Sequence, residues 1–297
     1  MTRSYVPLLV FLSLLWGSSY LFIKVGDREL QPTTLMLTRV TIAAVLLSTY
    51  LWREGLLREL RRAGLSAYAL GVINGAIPFT LIAWGERHVN SGIAAVANST
   101  VPLFVVLLAI VFRPTERASG LRLVGIVLGF VGVGVLAGVH PSGGWWGVAG
   151  TLAVVLSSVS YASAILWGQR LIERVPGPVL ATTSVIGASV VLLPFGIAQA
   201  PNHFPSWKPA ASVLALAVLG TAVAQLVWFR LLRLAGSSRA SLVNYLLPVT
   251  ALLYGAVLLD EPITAQELAG LVLILTGVAL GSGLVRLARG APEPARP

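Results

Sequence analysis

The chain has 297 residues, 56% of them hydrophobic and 11% charged, against about 25% charged in soluble domains, which excludes a soluble globular protein and requires an integral membrane protein. The formal charge of +10 does not point to nucleic acid, because Lys and Arg are scattered singly between apolar segments and form no basic face with interleaved aromatics. With no cysteine present, thiol catalysis, disulfides and thiolate-bound metals are excluded.

Apolar segments of about 20 residues, separated by Gly, Pro or charge, mark membrane spans. Ten are expected, at roughly 5 to 24, 33 to 52, 66 to 85, 91 to 112, 120 to 138, 147 to 168, 179 to 199, 210 to 229, 238 to 259 and 264 to 285. The first resembles a signal peptide in its basic start and small residues, but its length and the spans that follow predict an uncleaved helix. An even count puts both termini on one side. With that side cytoplasmic, 16 of the 21 basic residues lie inside; only Lys24, Arg28, Arg87 and Lys208 lie outside, and Arg39 falls within the second span. The positive-inside rule therefore predicts cytoplasmic termini in an inner membrane. The outside loops hold His88, His140 and His203, too dispersed for a metal site, with Trp145, Trp146 and Trp207 as an interfacial belt. The loop at 52 to 65 is expected to face lipid headgroups, and the tail at 287 to 297 is too rich in Pro and small residues to fold.

Along the chain, polar residues interrupt these spans at a few places. Trp16 and Ser19 in the first and Ser157, Ser160 and Tyr161 in the sixth occupy corresponding stretches, and aromatic walls with hydroxyl tips suit an amphipathic organic solute. Trp167, near a helix end, fits an interfacial anchor. In the third span Asn74 and Pro78 lie on a stripe with Gly75 and Gly85, equally consistent with close packing and with a cavity. The fourth carries Asn98, Ser99 and Thr100 before Pro102, which removes a backbone donor and obstructs the carbonyl four residues earlier. Gln225 is an isolated amide in the eighth span and is expected to face protein or water. The ninth repeats the fourth's pattern with Asn244, Tyr245 and Pro248. Asn98 and Asn244 are expected to bind solute, the alternative being interhelical packing worth about 1 kcal/mol each; Pro102 and Pro248 are expected hinge or kink points. Lys24 can snorkel from its helix end. Arg39 is deeper and is expected to pair with Asp27 or Glu29, the alternative being attraction of a solute carboxylate.

These recurrences belong to an internal repeat. Pro102 over Pro248 also places Ala94 over Ala240 and Ser91 over Ser237. Pro32 falls over Pro178, Trp16 over Tyr161, and, with a one-residue gap, Glu116 over Glu261 and Gly125 over Gly270. Two halves, 5 to 138 and 147 to 286, each of five spans, must enter the membrane in opposite senses. The expected fold is thus an all-α membrane protein of ten transmembrane helices in two inverted five-helix repeats. Such repeats place a site near the midplane and alternate its access, with broken helices exposing backbone groups where they line a cavity.

The WGSSYLFIK start, Arg39, and the stretch SSRASLVNYLLPVTALLYGAVLLDEPITAQELAGLVLILTGVAL with its first-half counterpart resemble the EamA-type members of the drug/metabolite transporter superfamily, over roughly residues 6 to 286. The resemblance implies a ten-helix exporter with a central cavity lined mainly by the first, third, fourth, sixth, eighth and ninth helices, similar to amino-acid and metabolite exporters of the YddG kind. It does not fix a substrate.

Asp27, Glu29, Glu54, Glu59, Glu86, Glu116, Glu173, Asp260, Glu261 and Glu293 fall in loops or at helix ends, leaving mid-span positions without a carboxylate or histidine. Proton-driven antiport of cations normally needs a titratable group in the cavity, so the expected function is facilitated export of neutral or zwitterionic metabolites, most plausibly amino acids. Proton-coupled export of nucleosides or drugs is the alternative. A membrane enzyme or lipid-handling scaffold finds little support, since no paired catalytic carboxylates, ligand clusters or base-activated nucleophile are evident in the sequence. The expected partners are a small-molecule substrate and the bilayer; the expected state is a monomer without cofactor, metal, catalytic residues or bound nucleic acid.

Overall fold

Long runs of apolar residues fold here as helices, the one open-ended structure that satisfies its own backbone in a bilayer. The computed structural model describes residues 5–112, 120–138, 144–240 and 242–281. Arg113, Glu116, Arg117, His140 and the tail at 287 to 297 lie outside the described residues.

The first two rods are α1 (Val6–Gly26) and α2 (Pro32–Arg53), the latter begun by a proline in its first turn, where the missing N–H costs nothing. The expected headgroup loop forms a short exposed helix, α3 (Leu57–Arg62), with Arg62 paired to Glu59 at 2.7 Å. The third rod is composite: α4 (Leu65–Gly71), a π turn at Val72–Ala76, then α5 (Ile77–Glu86). The fourth is split into α6 (Ser91–Asn98) and α7 (Val101–Phe112). After α8 (Leu121–Ala137) come α9 (Gly144–Leu171) and α10 (Gly177–Ala198). A second composite rod runs through α11 (Trp207–Ala217), a π turn at Val218–Val223 and α12 (Ala224–Ala240). The last described helices are α13 (Val243–Leu258) and α14 (Ala265–Gly281).

Seven of these rods are long and apolar enough to cross a membrane, and three shorter apolar helices cover 123 to 137, 243 to 258 and 265 to 281. The chain is a multi-pass membrane protein.

The main helix pairs are α8 with α14, α2 with α10, α1 with α13, α5 with α9, α4 with α10, α1 with α11, and α6 with α13. Glycines set the closest approaches. A Cβ on Gly71 would stand 2.0 Å from the Ser184 carbonyl oxygen, and one on Gly187 would stand 1.9 Å from that of Tyr68. The α4 and α10 backbones therefore touch directly, as small residues permit between membrane helices. The largest buried cluster, including Leu35, Met36, Val40, Val96, Leu216 and Ile274, joins helices from both halves of the chain.

One expectation is corrected here. The fourth rod breaks where the sequence predicts, at Ser99 and Thr100, with Pro102 the second residue of the following helix. The ninth does not break at its matching position: α13 begins at Val243, carries Asn244 in its first turn and runs on through Pro248. Pro248 is the sixth residue of α13, where it leaves the Asn244 carbonyl without its intrahelical donor, and α13 continues past it.

Candidate functional site

The break in the fourth rod turns polar atoms toward α9. Pro102 has no N–H to offer the carbonyl of Asn98, and the Ser158 hydroxyl donates to that oxygen at 3.4 Å instead. Ser158 and Ser157 also approach the Asn98 side-chain oxygen, at 3.4 and 3.5 Å. Asn98 is half-buried, whereas Ser99 is buried and spends its hydroxyl on the Ala95 carbonyl at 3.0 Å. The Tyr20 hydroxyl is within reach of the Asn98 amide. Asn98, Ser157 and Tyr20 thus bring α1, α6 and α9 to one polar layer.

A second part of this layer surrounds Arg39. Its Nε donates to Thr221 Oγ1 at 2.8 Å, and its guanidinium carbon lies 3.8 Å above the Phe79 ring centre. Phe79 meets Tyr161 edge-on at 6.3 Å. Thr221 belongs to the second π turn, and its hydroxyl also reaches the Leu216 carbonyl at 3.1 Å, five residues back. The other π turn is held similarly, by the Ser160 hydroxyl on the Ile73 carbonyl at 2.8 Å. Each π turn therefore presents irregular backbone to the polar layer, where such turns commonly serve function. Ser19 lies against Gly220 of the second turn.

The remaining expected residues are placed as follows. Trp16 is tilted against Trp228, with ring centres 5.5 Å apart. Asn74 donates to Ser184 at 3.2 Å, an α10 contact of the packing kind, and Pro78 is buried beside it on α5. Gln225 and Asn244 are half-buried. Tyr245 packs on the main core cluster and lines a surface groove of about 300 Å³ with Tyr5, Leu9 and Leu246. A wider groove of about 500 Å³ runs between α2 and α10 past Thr41, Ser48 and Trp52.

Charges form a separate layer at the end of the bundle that carries Glu86 and Ser91. The Lys24 ammonium donates to the carbonyls of Glu86 and Val89, the latter at 2.8 Å, so it caps a helix end as well as anchoring its own. Glu261 accepts from Ser91, and Glu29 accepts from the Ser206 backbone at 2.6 Å. These Ser206 contacts hold the Glu29 carboxyl below its ordinary range. Arg87 binds Asp27 at 3.4 Å and Gln31 at 2.6 Å. Burial pushes the Asp27 carboxyl up to about 7, against the pull of Arg87.

One sequence expectation fails at this end. Arg39 does not pair with Asp27 or Glu29, because those carboxylates are engaged by Arg87 and Ser206. Glu86 does end its helix, but it is fully enclosed and neither carboxylate oxygen has a hydrogen-bond partner among the described residues. Glu267, absent from the carboxylates considered above, is buried in the first turn of α14, where it forms a capping box: Thr264 N to Glu267 Oε2 at 2.8 Å and Glu267 N to Thr264 Oγ1 at 3.1 Å. The Thr-Ala-Gln-Glu spacing at 264 to 267 carries that signal in the sequence. Among the described residues no cluster of three or more His, Cys, Asp or Glu could hold a metal.

The sequence matches the EamA-like transporter family twice, over residues 3–138 and 148–283. It is 30% identical to the "uncharacterized inner membrane transporter YedA" of Escherichia coli strain K12 across 94% of this chain and 91% of that protein. It is 32% identical to a "probable terminal-alkyne amino-acid exporter" of Streptantibioticus cattleyicolor across 92% and 91%. A "probable amino-acid metabolite efflux pump" of Salmonella typhimurium is 27% identical across 95% and 97%. A crystal structure with a TM-score of 0.68 and 21% identity aligns over 96% of this chain and 99% of its own, a likeness of fold. These names point to transport and not to catalysis. The chain belongs to the EamA-like transporter family and is a membrane transporter.

Proposed function

We propose that the protein exports amino acids or closely related small metabolites by alternating access, through the layer that contains Asn98, Ser157, Tyr161 and Tyr20. In this reading it has ten spans in two inverted repeats, with both termini cytoplasmic. The three shorter helices fit it, because 16 or 17 residues at about 1.5 Å each approach the roughly 30 Å hydrocarbon core.

The observation that carries the reading is the exchange pattern of the helix pairs. Shifting every rod by five turns the α1–α13 contact into α9 against α6 and α7, α1–α11 into α9–α4, α5–α9 into α12–α1, and α4–α10 into α11–α2; α8–α14, α2–α10 and α6–α13 map onto themselves. The π turns obey the same register, Val72 and Val218 being separated by the same 146 residues as Asn98 and Asn244. Against that symmetry, the fourth rod breaks after Asn98, whereas α13 runs on through Asn244 and Pro248. Equivalent segments in two forms are what a protein exchanging its open side requires. The amino-acid class is supported by the names of the Salmonella and Streptantibioticus relatives. Purified protein in liposomes loaded with radiolabelled amino acids tests the reading: efflux faster than from protein-free vesicles supports it, and equal efflux refutes it.

Facilitated export rests on there being no carboxylate or histidine at mid-span; Glu86, at a helix end, is nevertheless an enclosed carboxyl. Enclosed carboxyls in membrane proteins mark proton or substrate pathways, and Asp27, Lys24, Glu261 and Arg39 all lie within its electrostatic range. Proton-coupled export is accordingly the second reading. Efflux that needs an imposed pH gradient, and loses that need in Glu86→Gln, favours it; efflux indifferent to the gradient favours the facilitator.

A further inference from the structure

We propose that Arg39 is the receptor for a carboxylate on the exported solute, so that the transporter selects molecules with a free carboxylate over the same molecules as amides. The inference rests on the export reading above and names what its site recognises.

The first observation is a charge held without a counterion. Arg39 is only 4% exposed, deep in the bundle, and a guanidinium stays protonated in such places. Desolvating it costs several kcal/mol that a paired anion normally offsets. Among the described residues no carboxylate oxygen comes within 4.0 Å of it. Asp27, Glu29 and Glu261 are engaged by Arg87, Ser206 and Ser91. Glu86 lies within electrostatic range and makes no contact.

The second is the way the side chain is held. Nε is fixed by Thr221 and the flat face by Phe79, while the terminal nitrogens meet only the weak thioether acceptor of Met36, at 3.8 Å. Of its five N–H donors, one reaches an oxygen among the described residues. The group is therefore oriented, with the forked edge that binds carboxylates in bidentate fashion left over. Tyr20 and Tyr161 lie around it, and Tyr20 links it to Asn98, so hydroxyl and amide groups are at hand for the rest of a zwitterion.

The third comes from the repeat. In the register that sets Pro32 over Pro178, Arg39 falls over Val185, which is buried in α10 with 5% exposure. The same packing position in the other half is filled by a valine, so the α2–α10 pair does not call for a cation there. The charge serves something that only one half provides.

The test is transport by the full chain in liposomes, comparing the twenty standard L-amino acids with their α-amides. Wild type should release amino acids and not the amides. Arg39→Gln should weaken apparent affinity for the transported acid about 30-fold or more, the size of losing a buried charge partner, with Arg39→Lys intermediate. Wild-type protein that carries acids and amides equally, or Arg39→Gln that carries acids at wild-type affinity, overturns the proposal and leaves the export reading standing. Wild type that moves neither set overturns the export reading, and this inference with it. The wild-type comparison decides even where Arg39→Gln does not fold.

Discussion

The Glu261 carboxylate clasps Ser91 across 170 residues of chain, accepting from its backbone N–H at 3.1 and 3.0 Å and from its hydroxyl at 2.6 Å. Ser91 is the first residue of α6, so the anion sits at the positive end of the half-helix that carries Asn98. The Ser206 cap provided by Glu29 does the same for α11. Each contact ties a loop of one half to a helix start in the other.

Removing that clasp should loosen the fold at this end. Glu261→Ala is expected to lower unfolding free energy by about 1 to 3 kcal/mol, the scale for hydrogen bonds to a charged group, and Ser91→Ala by less because the backbone contact survives. Thermal unfolding in detergent measures both. Equal stabilities for Glu261→Ala and wild type would contradict the clasp.

The glycine crossing between α4 and α10 makes a sharper structural prediction. Gly187→Ala forces a Cβ onto the Tyr68 carbonyl, and overpacking of this kind costs about 1 to 3 kcal/mol or more. Gly134→Ala is the control, since nothing lies within 4 Å of a Cβ there. Expression and melting temperature should fall for the first and hold for the second; a tolerated Gly187→Ala would mean that α4 and α10 pack less closely.

Much of this was legible in residue types and spacing. Apolar runs between Gly, Pro and charge located the helices, and the Asn98–Pro102 pattern marked a helix break because a missing donor and a steric clash are local effects. Other features depend on groups distant in sequence. Asp27 is near Arg39 along the chain, yet Arg87, 60 residues on, captures it. Glu86 reads as a loop-facing helix end, yet it is fully enclosed. The stretches VINGA and VLGTAV form π turns with no sequence mark beyond small residues. Asn244 and Pro248 copy Asn98 and Pro102 in type and place, but α13 runs through them unbroken, so tertiary packing decides where such a pattern breaks a helix.

Asn98 should matter more for transport than for folding. Its amide meets Ser157 and Ser158 at 3.4 to 3.5 Å, contacts worth about 1 kcal/mol in membranes. Asn98→Ala is therefore expected to cut flux several-fold while shifting stability by no more than about 1 kcal/mol. Unfolding alongside lost flux would assign Asn98 to packing.

Asp27 predicts a pH dependence with a definite sign. Burial raises its folded value to about 7, above the roughly 3.9 of an unfolded aspartate. Folding then favours the protonated form, and that stabilisation is complete below about pH 4 and lost as pH rises to about 7. The stability of Asp27→Asn minus that of wild type should climb between those limits and level off above them. A difference that falls or stays flat over this range would show that Arg87 dominates instead.

The most direct measurement is efflux of radiolabelled amino acids from liposomes holding the wild-type protein, beside Asn98→Ala and protein-free vesicles. Rapid release by wild type, slowed several-fold in Asn98→Ala at equal protein insertion, is the predicted result. Release by wild type no faster than from protein-free vesicles would contradict amino-acid export through this polar layer.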